Sequence, residues 1–177
     1  SILLEQGFEV KILDNFSSQV HESDTLPNDL SKHIQVFNGD IRNKAILRKA
    51  LKDVNKLVHF AAETGTGQSM YQIEHYFDVN VQGTSTLLDI LSNESDYSIS
   101  DIIVASSRSI YGEGLYECPI HGTVSPNQRD EEDMKKCDFN VKCPICGGKV
   151  SLIKTSESSE LKPFSYYGLT KQIQEQM

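Results

Sequence analysis

Four short apolar runs alternate with helical stretches, and this alternation restricts the chain to few architectures. The runs are residues 9–14 (EVKILD), 33–37, 56–62 (KLVHFAA) and 101–106 (DIIVAS). Each is bounded by turn residues and reads as a buried strand. Residues 45–51 have helical spacing. Residues 71–91 form a longer helical stretch, with Val79, Leu87, Leu88 and Leu91 on its apolar side. Strands that alternate with helices build βαβ units and a parallel sheet covered on both faces. The expected class is α/β, with a doubly wound parallel sheet.

Composition narrows the function. The chain has 177 residues, 38% of them hydrophobic, enough for one core of ordinary size. The net charge is −8 and the isoelectric point near 5.1, which argues against nucleic-acid backbones and anionic membranes as partners. No apolar run approaches the roughly 18 residues a membrane span needs. No charged start followed by an apolar stretch marks a signal peptide, so a cytoplasmic location is expected. Residues 2–7 read as the end of a helix closed by a C-cap glycine, and residues 171–177 as an unfinished helix. The chain is therefore expected to be a fragment, truncated at both ends.

A dinucleotide-binding half carries an acid at the end of its second strand, about 20 residues after a glycine-rich turn. That acid accepts hydrogen bonds from the adenosine ribose. Asp14 ends EVKILD and takes this position; the plainer reading is that it opens a turn with Asn15. An acid there favours NAD over NADP, because a carboxylate repels a 2′-phosphate. Asp40 and Ile41 follow the second run, and Phe60, Ala61 and Ala62 the third. Turn chemistry and sheet packing explain each of these separately. Together they fall at strand carboxyl ends, where open α/β sheets bind ligands. The stretch Gly65-Thr66-Gly67-Gln68-Ser69 lacks the Gly-Lys-Ser/Thr ending of a P-loop and is rejected as one.

Tyr167 and Lys171 form Y-x-x-x-K. On a helix these positions share one face. An ammonium one turn along favours the phenolate, which can take a proton from a sugar hydroxyl as hydride leaves its carbon. Ser107, just past DIIVAS, offers a hydroxyl to hold the reacting oxygen; on spacing alone Ser106 or Ser109 serves equally.

Asp14, Asp40-Ile41, HFAA (59–62), Asn80 in DVNVQGT, ASSRSIYGEG (105–114) and YGLTK (167–171) occur in that order. The set resembles the extended short-chain dehydrogenase/reductase family, specifically its nucleotide-sugar epimerases and dehydratases. The resemblance implies a Rossmann-like fold, NAD as cofactor and a nucleotide sugar as substrate. It carries Ser107, Tyr167 and Lys171 onto the catalytic positions, with Lys171 also bonding the nicotinamide ribose. Asp14, Asp40, Ile41, Phe60, Ala61, Ala62, Asn80 and Ala105 match positions that line NAD or support its loops, as do Tyr167 and Lys171. It further implies a homodimer formed through helices near residues 71–91 and 166–177. The family's 4,6-dehydratases carry an acid after the serine; here Arg108 and Ser109 follow. Without that acid, epimerisation is expected: C4 oxidation, rotation of the ketone and hydride return. A dehydratase or dehydrogenase is the alternative, and a non-catalytic zinc-binding module is an alternative of another class. Residues 1–177 alone are expected to be inactive.

Residues 113–163 change character, becoming rich in Cys, Pro, Gly, Ser and charge. They read as an insertion between a partial NAD-binding domain, 1–112, and the start of the catalytic helix, 164–177. The run Arg129 to Asp133 reads as a solvated face. Cys118-Pro119-Ile120-His121-Gly122 and Cys143-Pro144-Ile145-Cys146-Gly147 are two knuckles, each supplying two ligands from a tight turn relieved by glycine. Cys118, His121, Cys143 and Cys146 make a closed tetrahedral zinc set with no position left for water, hence a structural metal. Cys137 is the spare cysteine and the alternative to His121.

Overall fold

The computed structural model describes residues 2–23, 26 and 32–177. They fall into two compact units: residues up to 63 together with 74–105, and residues 64–73 together with 106–176.

The first unit opens with a short helix, α1 (Ile2–Glu5), closed at Gly7 as expected. Strands β1 (Val10–Asp14) and β2 (Ile34–Asn38) pair in parallel from Val10↔Ile34 to Asp14↔Asn38. Helix α2 (Lys44–Leu51) follows, capped by Asn43, whose side chain accepts from the Ala45 and Ile46 amides. Strands β3 (Lys56–His59) and β4 (Asp101–Val104) form a second parallel pair. The expected α/β fold is present, with parallel sheets. Strand β3 is shorter than the apolar run that signals it. Its last ladder bond is the Ala105 amide to the His59 carbonyl, and Phe60 and Ala61 beyond it are exposed.

Apolar residues at helical spacing join these elements. Ile41, Leu47 and Leu51 meet Leu87 and Ile90, and Leu13 and Leu57 of the strands pack against them. Leu87 and Ile90 lie on the helical stretch expected at 71–91. That stretch is a run of three pieces: α4 (Ile73–Tyr76), a widened π-helical turn (Phe77–Gln82) and α5 (Gly83–Asn93). The wide turn contains Asn80, which is fully buried. Its Oδ1 accepts from the Glu63 amide at 2.7 Å, and its Nδ2 donates to the Glu63 carbonyl at 3.1 Å. A regular helical pattern cannot announce this register change, because its partner lies in the loop after β3.

The second unit contains α3 (Thr66–Ser69), a 3₁₀ turn at Arg108–Tyr111, and α7 (Tyr166–Gln176). Between the last two, the segment of irregular composition carries regular structure. Strands β5 (Tyr116–Cys118), β6 (Gly122–Val124) and β7 (Ser151–Leu152) form an antiparallel sheet in the order β6-β5-β7. The acidic run is largely exposed, as expected, but residues Glu131–Lys135 coil into α6, with Asp130 as its cap. No described helix is long and apolar enough to cross a membrane.

Candidate functional site

In the second unit, Ser107 is the first residue of a tight turn. Its Oγ accepts from the Ser109 amide at 3.2 Å, and its carbonyl accepts from the Ile110 amide. This 3₁₀ turn packs on α7, the helix that carries Tyr167 and Lys171. Their contact is close because residue 168 is glycine: a Cβ there would lie 2.6 Å from the Ser109 carbonyl oxygen. Ser165 starts α7, its Oγ accepting from the Gly168 amide at 3.0 Å. The structure thus brings the serine turn against the tyrosine–lysine helix.

Lys171 is buried, and burial lowers its pKa, opposed only by the charge of Glu175. Its ammonium donates to Gln174 Oε1 at 2.7 Å. The motif reading missed Gln174, although its position one turn beyond Lys171 on the same face was available as a signal. Ser165 also went unread; a serine three residues before Gly168 is the cap signature that marks it.

The residues matched to cofactor positions lie in the first unit. Asp14 ends β1, and its Oδ1 accepts from the Phe16 amide at 2.8 Å, so the plainer turn reading holds for that oxygen. Its other oxygen lies 3.5 Å from His21 Nε2. Asp40 follows β2 and is engaged by Arg42 through the backbone amide, Nε and Nη2. These bonds hold the Asp40 carboxyl below its usual range, against the effect of burial. Arg42 also pairs with Asp78. Ile41 is a core residue, buried with Leu47 and Ile90. Phe60 is 71% exposed, next to Ala61 and Ala62. Asn80 pins the loop after β3 through Glu63, and Ala105 extends the β4 ladder by one bond.

The two knuckles converge. Donor atoms of Cys118, His121, Cys143 and Cys146 all lie within 4.8 Å of one another. His121 Nδ1 is 3.6 Å from the sulfurs of both Cys118 and Cys143, and the Cys118 and Cys146 sulfurs are 3.9 Å apart. Gly122 and Gly147 close the turns at φ of 67° and 69°. The Ile120 amide, joined by His121, pulls the Cys118 thiol below its ordinary value. Burial pushes Cys143 up, but the Cys146 and Ile145 amides outweigh it and lower the thiol. The Gly148 amide lowers Cys146, yet burial and the two neighbouring thiols raise it overall. Cys137 is exposed at φ 62° and outside the cluster.

The family model described as GDP-mannose 4,6 dehydratase matches residues 1–126. A dTDP-L-rhamnose 4-epimerase from Burkholderia thailandensis is 30% identical over 166 residues, covering 93% of this chain and 44% of that protein. A UDP-glucose 4-epimerase from Neisseria meningitidis is 30% identical over 132 residues, covering 70% and 38%. Among solved structures, a dTDP-glucose 4,6-dehydratase from Streptomyces venezuelae with NAD bound superposes with a TM-score of 0.64 at 25% identity, over 95% of this chain and 40% of its own. A UDP-glucose 4-epimerase from Brucella ovis in complex with NAD gives a TM-score of 0.66 at 24% identity, over 99% and 41%. The chain therefore spans less than half the length of these relatives.

Proposed function

We infer function from one premise: this chain belongs to the NAD-dependent epimerase/dehydratase family of extended short-chain dehydrogenases. From that premise we propose that it is part of a nucleotide-sugar 4-epimerase using tightly held NAD, with dTDP-L-rhamnose as the leading substrate. The observation that carries the reading is the packing of the Ser107 turn against the helix bearing Tyr167 and Lys171.

The chain's own residues fit NAD in two respects. Asp14 keeps a partly exposed carboxylate at the carboxyl end of β1, suited to ribose hydroxyls. Phe60 presents an exposed ring beside two alanines at the carboxyl end of β3, where a flat ligand can approach the backbone. When bound, NAD supplies a hydride acceptor and donor at the sugar C4.

Tyr167 takes the C4 hydroxyl proton and returns it after the ketone has turned its other face. Lys171 places a positive charge one turn along, which favours the phenolate; by the family's pattern it would also hydrogen-bond the nicotinamide ribose. Its low-dielectric surroundings strengthen that charge effect. Ser107 holds the reacting oxygen. Arg108, exposed, and Ser109 supply no carboxylic acid for eliminating water, which favours epimerisation over 4,6-dehydration. Cys118, His121, Cys143 and Cys146 suit a structural zinc ion: all four donors lie within 4.8 Å of one another, and the three spacings of 3.6–3.9 Å match donors about 2.0–2.3 Å from one centre. We further propose a homodimer through the helices at residues 71–91 and 166–177, a cytoplasmic location, and residues 113–163 as an insertion. Residues 1–177 by themselves are expected to be inactive.

The test incubates the full-length protein with dTDP-L-rhamnose and resolves the product by NMR. A C4 epimer supports the reading. A 4-keto-6-deoxy product from dTDP-glucose replaces it with the dehydratase, and zinc without NAD or turnover replaces it with a binding module.

A further inference from the structure

Between Ser107 and Tyr167 the second unit contains a two-legged stem whose length the proposed chemistry does not use. One leg runs from Ser107 to Cys118 and the other from Ser151 to Tyr167. The legs are joined at successive levels. Glu117↔Ser151 and Tyr116↔Leu152 pair as antiparallel strands. The Ile153 amide donates to the Leu115 carbonyl at 3.1 Å, and the Leu115 amide donates to Thr155 Oγ1 at 3.1 Å. Lower down, the Lys162 amide donates to the Ile110 carbonyl at 2.8 Å. Gly112 meets the Lys162 carbonyl so closely that a Cβ would come within 2.3 Å of it. Gly168 then meets Ser109 at the open end.

The four metal-type donors sit at the other end. Cys118 is the tip of the first leg, and Cys143 and Cys146 precede the second. Cys118 and Cys143 are buried with Val124, and among the described residues the partly buried hydrophobics packed against that cluster are Tyr116 and Val150. So small an apolar cluster cannot hold the tip by itself. A crosslink between residues 118 and 143 closes the loop between them and removes much of the conformational freedom that opposes pairing of the legs.

We infer that a zinc ion held by Cys118, His121, Cys143 and Cys146 is the clasp of this stem, and that its occupancy sets the separation between the Ser107 turn and the Tyr167 helix. Zinc then acts on catalysis by positioning, without touching the reacting atoms. The catalytic meaning of the stem rests on the proposed function; the mechanical coupling does not.

Amide hydrogen exchange in the full-length protein reads the coupling directly. The protein is measured with zinc, after stripping by a chelator, and after zinc is restored. The Ile153 and Lys162 amides should exchange at least about tenfold faster without zinc and recover when it returns, because loss of the clasp opens the stem locally. The Ala105 amide, bonded to His59 in the other unit, should not change. Alongside this, Cys143→Ser should lower kcat more than it raises KM and leave NAD content intact, whereas Cys137→Ser should change neither turnover nor NAD content. Absence of bound zinc, unchanged exchange at Ile153 and Lys162, or equal acceleration at Ala105 would overturn the inference. A protein that shows the coupling but turns over no nucleotide sugar sinks the functional reading and leaves the clasp standing.

Discussion

The first unit buries Leu47, Leu51, Leu87 and Ile90 to 3% exposure or less, in one continuous apolar cluster. Among the most buried residues of the second unit are Thr170, Lys171 and Gln174, and its buried apolar cluster is two cysteines with Val124. One region is held by area, spread over many contacts. The other is held by points: a cap, a close glycine contact, a row of hydrogen bonds and four converging donors. Area-based stability declines gradually under substitution. Point-based architecture fails at single residues, and it also fixes the sub-ångström placement that acid–base chemistry needs.

Four substitutions test this contrast. The largest effect is expected at Tyr167→Phe in the full-length protein, where turnover should fall about a hundred- to ten-thousandfold with unfolding unchanged. Kinetics and thermal unfolding on the same sample separate the two. A large loss of stability would show that the hydroxyl is architectural.

In the first unit, Leu87→Ala should cost about 2–5 kcal/mol by urea denaturation, through lost burial and the cavity left behind. Zinc content should not change. Zinc loss on this substitution would mean that the two units do not divide their stabilising contacts as described.

Asn80→Ala should cost about 1–3 kcal/mol, because the buried Glu63 amide loses its acceptor and its carbonyl a donor. Here the first unit too is held by points. A neutral result would place water there instead.

Lys171→Met should lower turnover by less than Tyr167→Phe does, with little change of stability at neutral pH. Burial lowers the folded-state pKa of Lys171 below 10.5, so the unfolded chain binds that proton more tightly. Folded stability therefore rises as pH climbs from the lowered value toward 10.5, and is reduced below that interval. The variant lacks this slope, so its stability relative to the natural sequence should fall as the solution becomes alkaline. Parallel unfolding curves across that range would contradict the burial argument.

The same contrast explains what could be read from sequence. Strands and helices of the first unit announce themselves because apolar spacing is local and repeated, as in EVKILD and DIIVAS. The knuckles and Tyr167–Lys171 are equally local, with ligands or partners a few residues apart. What sequence could not show is pairwise and distant. Asn80 with Glu63, Gly112 with Lys162 and Gly168 with Ser109 each depend on one contact between remote positions. The widened turn around Asn80 and the small sheet within residues 116–152 follow from such contacts, and no periodicity encodes them. For Asp14 the spacing was sound but incomplete: it marked the strand end, and the Phe16 amide now occupies one of its two oxygens.

Isotope retention at the reacting carbon tests the central claim most directly. The full-length protein is given dTDP-L-rhamnose carrying deuterium at C4, and the product is followed by NMR. The account predicts inversion at C4 with the deuterium still attached, since hydrogen leaves and returns at the same carbon without reaching solvent. Inversion with deuterium lost to water or, from dTDP-glucose carrying deuterium at C4, deuterium found at C6 beside a C4 ketone, would contradict it.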